Sequence, residues 1–230
     1  MKDFLGSSLF FGVILSFGSY LVGVYLKNKF KIFIFNPLLI SIIISIATLL
    51  LLDIDYNSYN NGAKYLTYLL TPATVCLAIP LYEQMKQIKN NFTAIMIGIA
   101  SGVMTSAVTI LILSLLFKLN HAQYVTLLPK SITTAIGIGL SEELGGYVAI
   151  TVSAIMITGL FGNIAGEALC RILRIKHPIA KGIAIGTSTH VMGTAKAMEI
   201  GEIEGAMSSL SVAVAGCMTV IVSILFEWAI

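Results

Sequence analysis

Charged residues punctuate this 230-residue chain, and the intervals between them predict its elements. A helix that crosses a bilayer needs roughly 17–25 predominantly apolar residues. Six uncharged runs reach that length: 4–26, 32–52, 65–82, 90–117, 144–166 and 205–226. Each is predicted to be a transmembrane helix. Two further uncharged runs, 131–141 and 182–195, hold only 11 and 14 residues. They are also too polar for lipid, with Ser131, Thr133 and Thr134 in one and Thr187, Ser188, Thr189 and His190 in the other. Irregular backbone at membrane depth is tolerated only where protein or a water-filled cavity surrounds it. The two short runs are therefore expected to be re-entrant hairpins or broken helices.

Composition narrows the class. Hydrophobic residues make up 57% and charged residues 11%, against about 25% charged in soluble globular chains. That excludes ordinary soluble, disordered and disulfide-rich secreted classes and predicts an all-α, multi-pass protein of the cell membrane. A net charge of +3, thinly scattered, leaves no nucleic-acid footprint. Cys76, Cys170 and Cys217 have neither metal nor redox spacing, so no cofactor is expected. Residues 4–26 are too long for a signal-peptide core and read as a retained span. Enzyme motifs such as H-E-x-x-H and G-x-S-x-G are missing, so no enzymatic activity is expected.

Orientation follows the excess of lysine and arginine on the cytoplasmic side. With six alternating spans, loops one, three and five carry nine basic residues against two on the opposite side. Both termini are then extracytoplasmic, provided 131–141 and 182–195 dip in from opposite faces. Residues 1–62 read as a scaffold and 63–230 as a core. Pro72 and Pro80 are expected to kink the third span. Gly98, Gly102 and Ser106, like Gly159, Gly162 and Gly166, form small-residue stripes suited to close helix packing.

The two short runs resemble each other. At an offset of 56 residues, Thr133, Gly137, Glu143 and Gly145 align with Thr189, Gly193, Glu199 and Gly201, and Ser131 falls opposite Thr187. The shared pattern is T-x-x-x-G-x5-E-[LI]-G. Each copy leads into a full span, so repeats near 129–169 and 185–228 are inverted, the arrangement by which many secondary transporters build a midplane site. The chemistry suits a small anion. Pro129 is placed to open a short helix, Lys130 supplies a cation, and Ser131, Thr133 and Thr134 supply hydroxyls around a flexible Gly137. Thr187, Thr189, His190, Gly193 and Thr194 face them from the second copy, with His190 suited to a proton-linked role. Glu143 and Glu199 are the repeat-matched carboxylates and rank first for a proton-coupling or structural part. Glu142, Glu202 and Glu204 are expected in water at span entrances, and Glu167 in an ion pair with Arg171.

The segments L-P-K-S-I-T-T (128–134), S-E-E-L-G-G (141–146), G-T-S-T-H-V-M-G-T-A (186–195) and E-G-A-M-S-S-L (204–210) resemble the LrgB/CidB family of antiholin-like and holin-like bacterial membrane proteins. The resemblance covers nearly the whole chain and is densest over 125–212. One departure is Ala135, where relatives usually carry proline after the paired threonines. The resemblance implies two roles. Bacterial members are linked to murein hydrolase activity, autolysis and programmed cell death, together with a small LrgA/CidA-type membrane partner. Similar plastid proteins export glycolate and glycerate, and some bacterial pairs handle pyruvate. The expectation is a transporter or facilitator for small monocarboxylates, proton-coupled, with antiholin-like control of lysis as the alternative. A homodimer is expected, with spans one and two as its fixed scaffold.

Overall fold

A computed structural model describes residues 10–30 and 35–230. The start of the first predicted span (4–9) and of the second (32–34) lie outside the described residues. Within them the chain is helical, with no strand, and it divides into two compact units, Met1–Cys76 and Leu77–Ile230.

The first unit contains α1 (Phe11–Phe30), α2 (Pro37–Leu52), α3 (Tyr56–Thr67) and α4 (Leu70–Cys76). Asn36 caps α2 through Leu38 N–H (2.9 Å) with Pro37 in its first turn, and Asp53 closes it in a left-handed conformation at φ 50°. Helix α1 packs on α2 and α3. Close approach is possible because Gly12 faces the Tyr59 carbonyl and Gly23 faces Pro37. Hydroxyls join the helices: Ser19 Oγ lies 2.9 Å from Ser41 Oγ, and Ser16 Oγ lies 2.7 Å from the Tyr59 hydroxyl. In lipid such interhelical bonds are worth about 0.6 kcal/mol each.

The second unit contains α5 (Ala78–Glu83), α6 (Met85–Asn90), α7 (Phe92–Leu116), α8 (His121–Leu127), α9 (Thr134–Glu143), α10 (Val148–Ile172), α11 (Pro178–Ile200) and α12 (Glu202–Phe226), with a 3₁₀ turn at Glu227–Ala229. Among the described residues four stretches are long and apolar enough to cross a membrane: Tyr56–Glu83, Phe92–Leu116, Val148–Ile172 and Glu202–Ala229. At 16 residues α2 is apolar but shorter. Tyr56–Glu83 is a succession of short helices, broken at 68–69 and at 77. Each break lies near the fourth residue before a proline, Pro72 or Pro80, whose ring clashes with that carbonyl and whose missing N–H leaves it unpaired.

The second unit is polar inside and apolar outside. Helix α12 buries Ser208, Ser209, Ser211 and Ser223, while Ile221, Ile224 and Leu225 are exposed. Helix α10 buries Thr151, Gly159, Gly162 and Asn163 and exposes Ile157 and Phe161. Water as solvent would reward the opposite arrangement, whereas lipid tails favour this one. Apolar packing still fills interior clusters, of which two are the larger. Ile95, Ile99 and Val103 meet Ala206 and Met207, and Ile110 meets Tyr124, Leu128, Ile132 and Leu140.

Two interruptions organise the unit. The first follows α8, which opens on a capping box in which Asn120 Oδ1 accepts from Gln123 N–H (2.9 Å) and Gln123 Oε1 accepts from Asn120 N–H (3.0 Å). Residues 128–133 then turn without forming a helix, and α9 begins at Thr134. Pro129 therefore does not open a helix, contrary to the sequence expectation; it lies in the turn that closes α8, where Lys130 N–H donates to Leu127 O (3.1 Å). The chain comes back to where it left. Thr126 Oγ1 accepts from Tyr147 N–H (2.8 Å), and Thr151 Oγ1 donates to Thr126 O (2.9 Å) and lies 2.7 Å from Ser141 Oγ. The start of α10 is thus bonded to α8, and the end of α9 to the start of α10.

The second interruption is inside α11, where His190 has φ 45° and ψ −147°. For a non-glycine residue such a conformation costs on the order of 1–3 kcal/mol. Both limbs of α11 pack on the start of α12: Gly182 and Gly186 face Glu204 and Ser208, while Gly205 faces Met198 and Thr194 Oγ1 lies 2.8 Å from Ser208 Oγ. Helix α11 thus folds back on itself at His190.

Candidate functional site

A cavity of ≈ 800 Å³ lies within the second unit. Its walls are one face of α7 and the first limb of α11, and Lys130 and Ser131 reach it from the first interruption. The register is fixed by two contacts. A Cβ on Gly98 would lie 3.5 Å from Ile183, and one on Gly102 would lie 2.6 Å from Thr187. The glycine stripe read in the sequence as packing thus does pack, and it also clears space for the cavity.

The inner end is polar. Lys130 Nζ donates to Ser131 Oγ at 2.9 Å. No carboxylate lies within ion-pair distance of Lys130 among the described residues. Ser106 Oγ and Thr187 Oγ1 are buried and have no hydrogen-bond partner among the described residues. Both line this cavity, and both sit with Ser131 around a small adjoining space. A buried hydroxyl without a partner carries a cost of about 1–3 kcal/mol. Ser101, Thr105 and Ser188 also line the cavity, but each donates to a carbonyl of its own helix, to Gly98 O, Ser101 O and Ala184 O. One cation and several hydroxyls lining one recess can together donate to a single small negative charge.

Of the residues assigned from the sequence to the anion site, Lys130, Ser131 and Thr187 line the cavity and the others do not. Thr133 precedes α9 without a side-chain cap bond, and Thr134 begins that helix. Gly137 is buried against the Ile155 side chain. Thr189 is buried against Gly162, where its hydroxyl donates to Ile185 O (2.7 Å), and Gly193 packs on it in turn. The His190 ring faces α10: Nε2 lies 3.0 Å from Ile155 O, and a Cβ on Gly159 would come 2.6 Å from the ring. Gly137 and His190 thus approach the same residue, Ile155, through its side chain and its carbonyl. Thr194 donates to His190 O (3.1 Å) besides its contact with Ser208.

The carboxylates fall differently from expectation. Glu143 and Glu199 are exposed, and Glu199 pairs with Lys196 at 3.3 Å. Glu204, expected in water, is the buried one, 8% exposed and 3.7 Å from Lys181 Nζ. It starts α12 but lies against the first limb of α11, a partner 23 positions earlier that local pattern does not reveal. Glu167 makes the expected bond to Arg171 (3.2 Å) and a second ion pair to Lys196 (3.1 Å). Sequence reasoning also missed Ser101, Thr105, Ser106 and Thr109 as cavity lining. Ser101, Thr105 and Thr109 recur every four residues and Ser106 lies three before Thr109, which puts them on one helix face, a signal present in the sequence.

Interior hydroxyls, an apolar exterior and two interrupted helices define a multi-helix membrane protein built around a small polar recess. The chain belongs to the LrgB-like family, whose profile matches residues 16–228. It is 36% identical over 218 residues to the "Antiholin-like protein LrgB" of Bacillus mycoides (strain KBAB4), covering 94% of this chain and 95% of that one. The proteins of that name from Bacillus cereus (strain B4264) and Bacillus anthracis (strain CDC 684 / NRRL 3495) match to the same extent. No solved structure matches the chain.

Proposed function

We propose that the protein is a membrane facilitator or transporter for small monocarboxylates of the pyruvate, glycolate and glycerate type. The observation that carries this reading is the meeting of Lys130 and Ser131 with the unpartnered hydroxyls of Ser106 and Thr187 on one cavity. A carboxylate takes the lysine as counter-ion and accepts from the hydroxyls, filling the hydrogen bonds that the protein leaves open. Glu143, Glu199 and His190 make no contact with the anion in this scheme. His190 holds the second break against α10 and is the place where a proton would be coupled.

The same reading takes six spans and two re-entrant hairpins that enter from opposite faces. Support comes from the return of the chain after α9 to Thr126, through Tyr147 and Thr151, and from the packing of both α11 limbs on α12. With the lysine-rich loops inside, both termini are extracytoplasmic and the Asn91–His177 end of the cavity faces the cytoplasm. The protein works as a homodimer with a small LrgA/CidA-type partner. Antiholin-like control of lysis is the second reading, favoured by the names of the relatives; passage of a metabolic acid and control of lysis are compatible in one protein.

Uptake of labelled pyruvate and glycolate into proteoliposomes, with and without the small partner, tests the first reading. Uptake should saturate and should be lost in Lys130→Ala, with Lys130→Arg recovering little, because a planar fork does not replace a compact ammonium. Saturable uptake by Lys130→Ala at the wild-type rate would move the site elsewhere.

A further inference from the structure

The cavity is much larger than the charge its polar end receives, and its lining changes character along its length. Helices α7 and α11 run alongside each other in the same direction, because Gly98 meets Ile183 and Gly102 meets Thr187. Ser106, Thr187 and Lys130 mark the inner end. One turn away, about 5.4 Å along the axes, the walls are Gly98, Ile183 and Ala184. A further turn brings Ala94, Ile179 and Ala180, and only then the polar Asn91 and His177. Two successive turns of wall therefore offer nothing but aliphatic surface.

Glycolate or pyruvate held at Lys130 would leave that slot to water, which gains nothing from aliphatic walls. An apolar tail on the acid would displace this water and bury its own carbons. At ≈ 800 Å³ the space lies in the range of about 300–1,000 Å³ typical of pockets for drug-sized ligands. We propose that the cavity prefers monocarboxylates with an apolar tail, of branched-chain or aryl keto acid size, over the smallest hydroxy and keto acids. This deepens the reading of Lys130 as carboxylate anchor and rests on it. Gly98, Ile183 and Ala184 set the specificity. Each methylene buried in the slot should improve affinity about fourfold.

The test is equilibrium binding to the purified full chain in detergent, read by calorimetry, with glycolate, pyruvate, α-ketobutyrate, α-ketoisocaproate and phenylpyruvate as probes. Affinity should rise through the aliphatic keto acids, reaching at least about tenfold from pyruvate to α-ketoisocaproate. Ala184→Leu fills the slot and should lower the α-ketoisocaproate-to-pyruvate ratio about tenfold; Ala94→Leu, on the opposite wall, does the same should the first variant fail to fold. The ratio is internal to each variant, so a general loss of active protein does not imitate it. A flat or falling series that still disappears in Lys130→Ala would overturn the tail preference and leave the carboxylate site standing. Absence of binding by every probe, or binding indifferent to Lys130→Ala, would instead remove the anchor and this inference with it.

Discussion

The two interruptions share a sequence pattern and are held in different ways. At the first, residues 128–133 turn freely of helix, and Lys130 and Ser131 face the cavity. At the second, His190 and Thr189 are wedged into α10 against Gly159 and Gly162, and only the preceding turn, at Thr187 and Ser188, reaches the cavity. One break presents chemistry and the other is clamped. Matching residue types in a repeat therefore do not imply matching roles: Thr133 and Thr189 align in sequence, yet one borders a helix start and the other fills a glycine notch. Which copy faces the cavity is decided by what packs against it.

Six substitutions at five positions bear on this contrast, from the largest expected effect down, with Gly139→Ala as the silent control. Gly162→Val places a branched side chain where Thr189 already stands and should cost about 3 kcal/mol or more, read as loss of monodisperse, heat-stable protein. Gly139→Ala, with nothing near its added carbon, should be silent in the same assay. Lys130→Ala should weaken pyruvate binding by about 100-fold, or 2.8 kcal/mol, with an unchanged melting midpoint, since no carboxylate depends on that cation. A drop in midpoint as large as that of Gly162→Val would show the first break to be clamped as well.

His190→Ala should destabilise by about 1–2 kcal/mol, because the ring contact and the bond to Ile155 O are lost while the unfavourable φ stays. His190→Gly keeps the loss of contact but relieves the backbone, so it should melt above His190→Ala. The reverse order would mean that the conformation at His190 stores no strain. Glu204→Gln should lower stability by no more than about 1 kcal/mol, since Lys181 remains partly solvated. That decrement should shrink at high salt, whereas the effect of Gly162→Val should not.

Hydropathy and punctuation made the long helices legible, because a lipid environment imposes length and apolarity on each span independently of its neighbours. The places where regular helix fails were legible for the same reason: 131–141 and 182–195 were too short and too polar, and the backbone breaks at 128–133 and at His190. The division of labour among hydroxyls was not. Thr151 binds Ser141 and the Thr126 carbonyl, Thr194 binds Ser208, and Ser106 and Thr187 bind nothing among the described residues. These side chains are chemically alike, and only the distant segment each one meets assigns its use. Glu204 illustrates the same limit. A carboxylate in a first helical turn reads as solvent-facing and dipole-complementing, and its burial depends on Lys181 and Gly182 from another helix.

The dependence of both α11 limbs on α12 also has a consequence for the order of synthesis. Domains and their parts fold as they leave the ribosome, N-terminal first, at about 5–20 residues per second. The first break has its supports, α8, α9 and the start of α10, within one continuous stretch and is complete once Thr151 has emerged. The second emerges as 23 residues of which Thr189 and His190 already meet α10, whereas Gly182, Gly186 and Thr194 face a helix not yet made. Until the Glu204–Ser208 turn follows, that segment is supported on one side only and is the most exposed to quality-control proteases. A chain stopped just before α12 should be degraded far faster than its missing mass alone would explain.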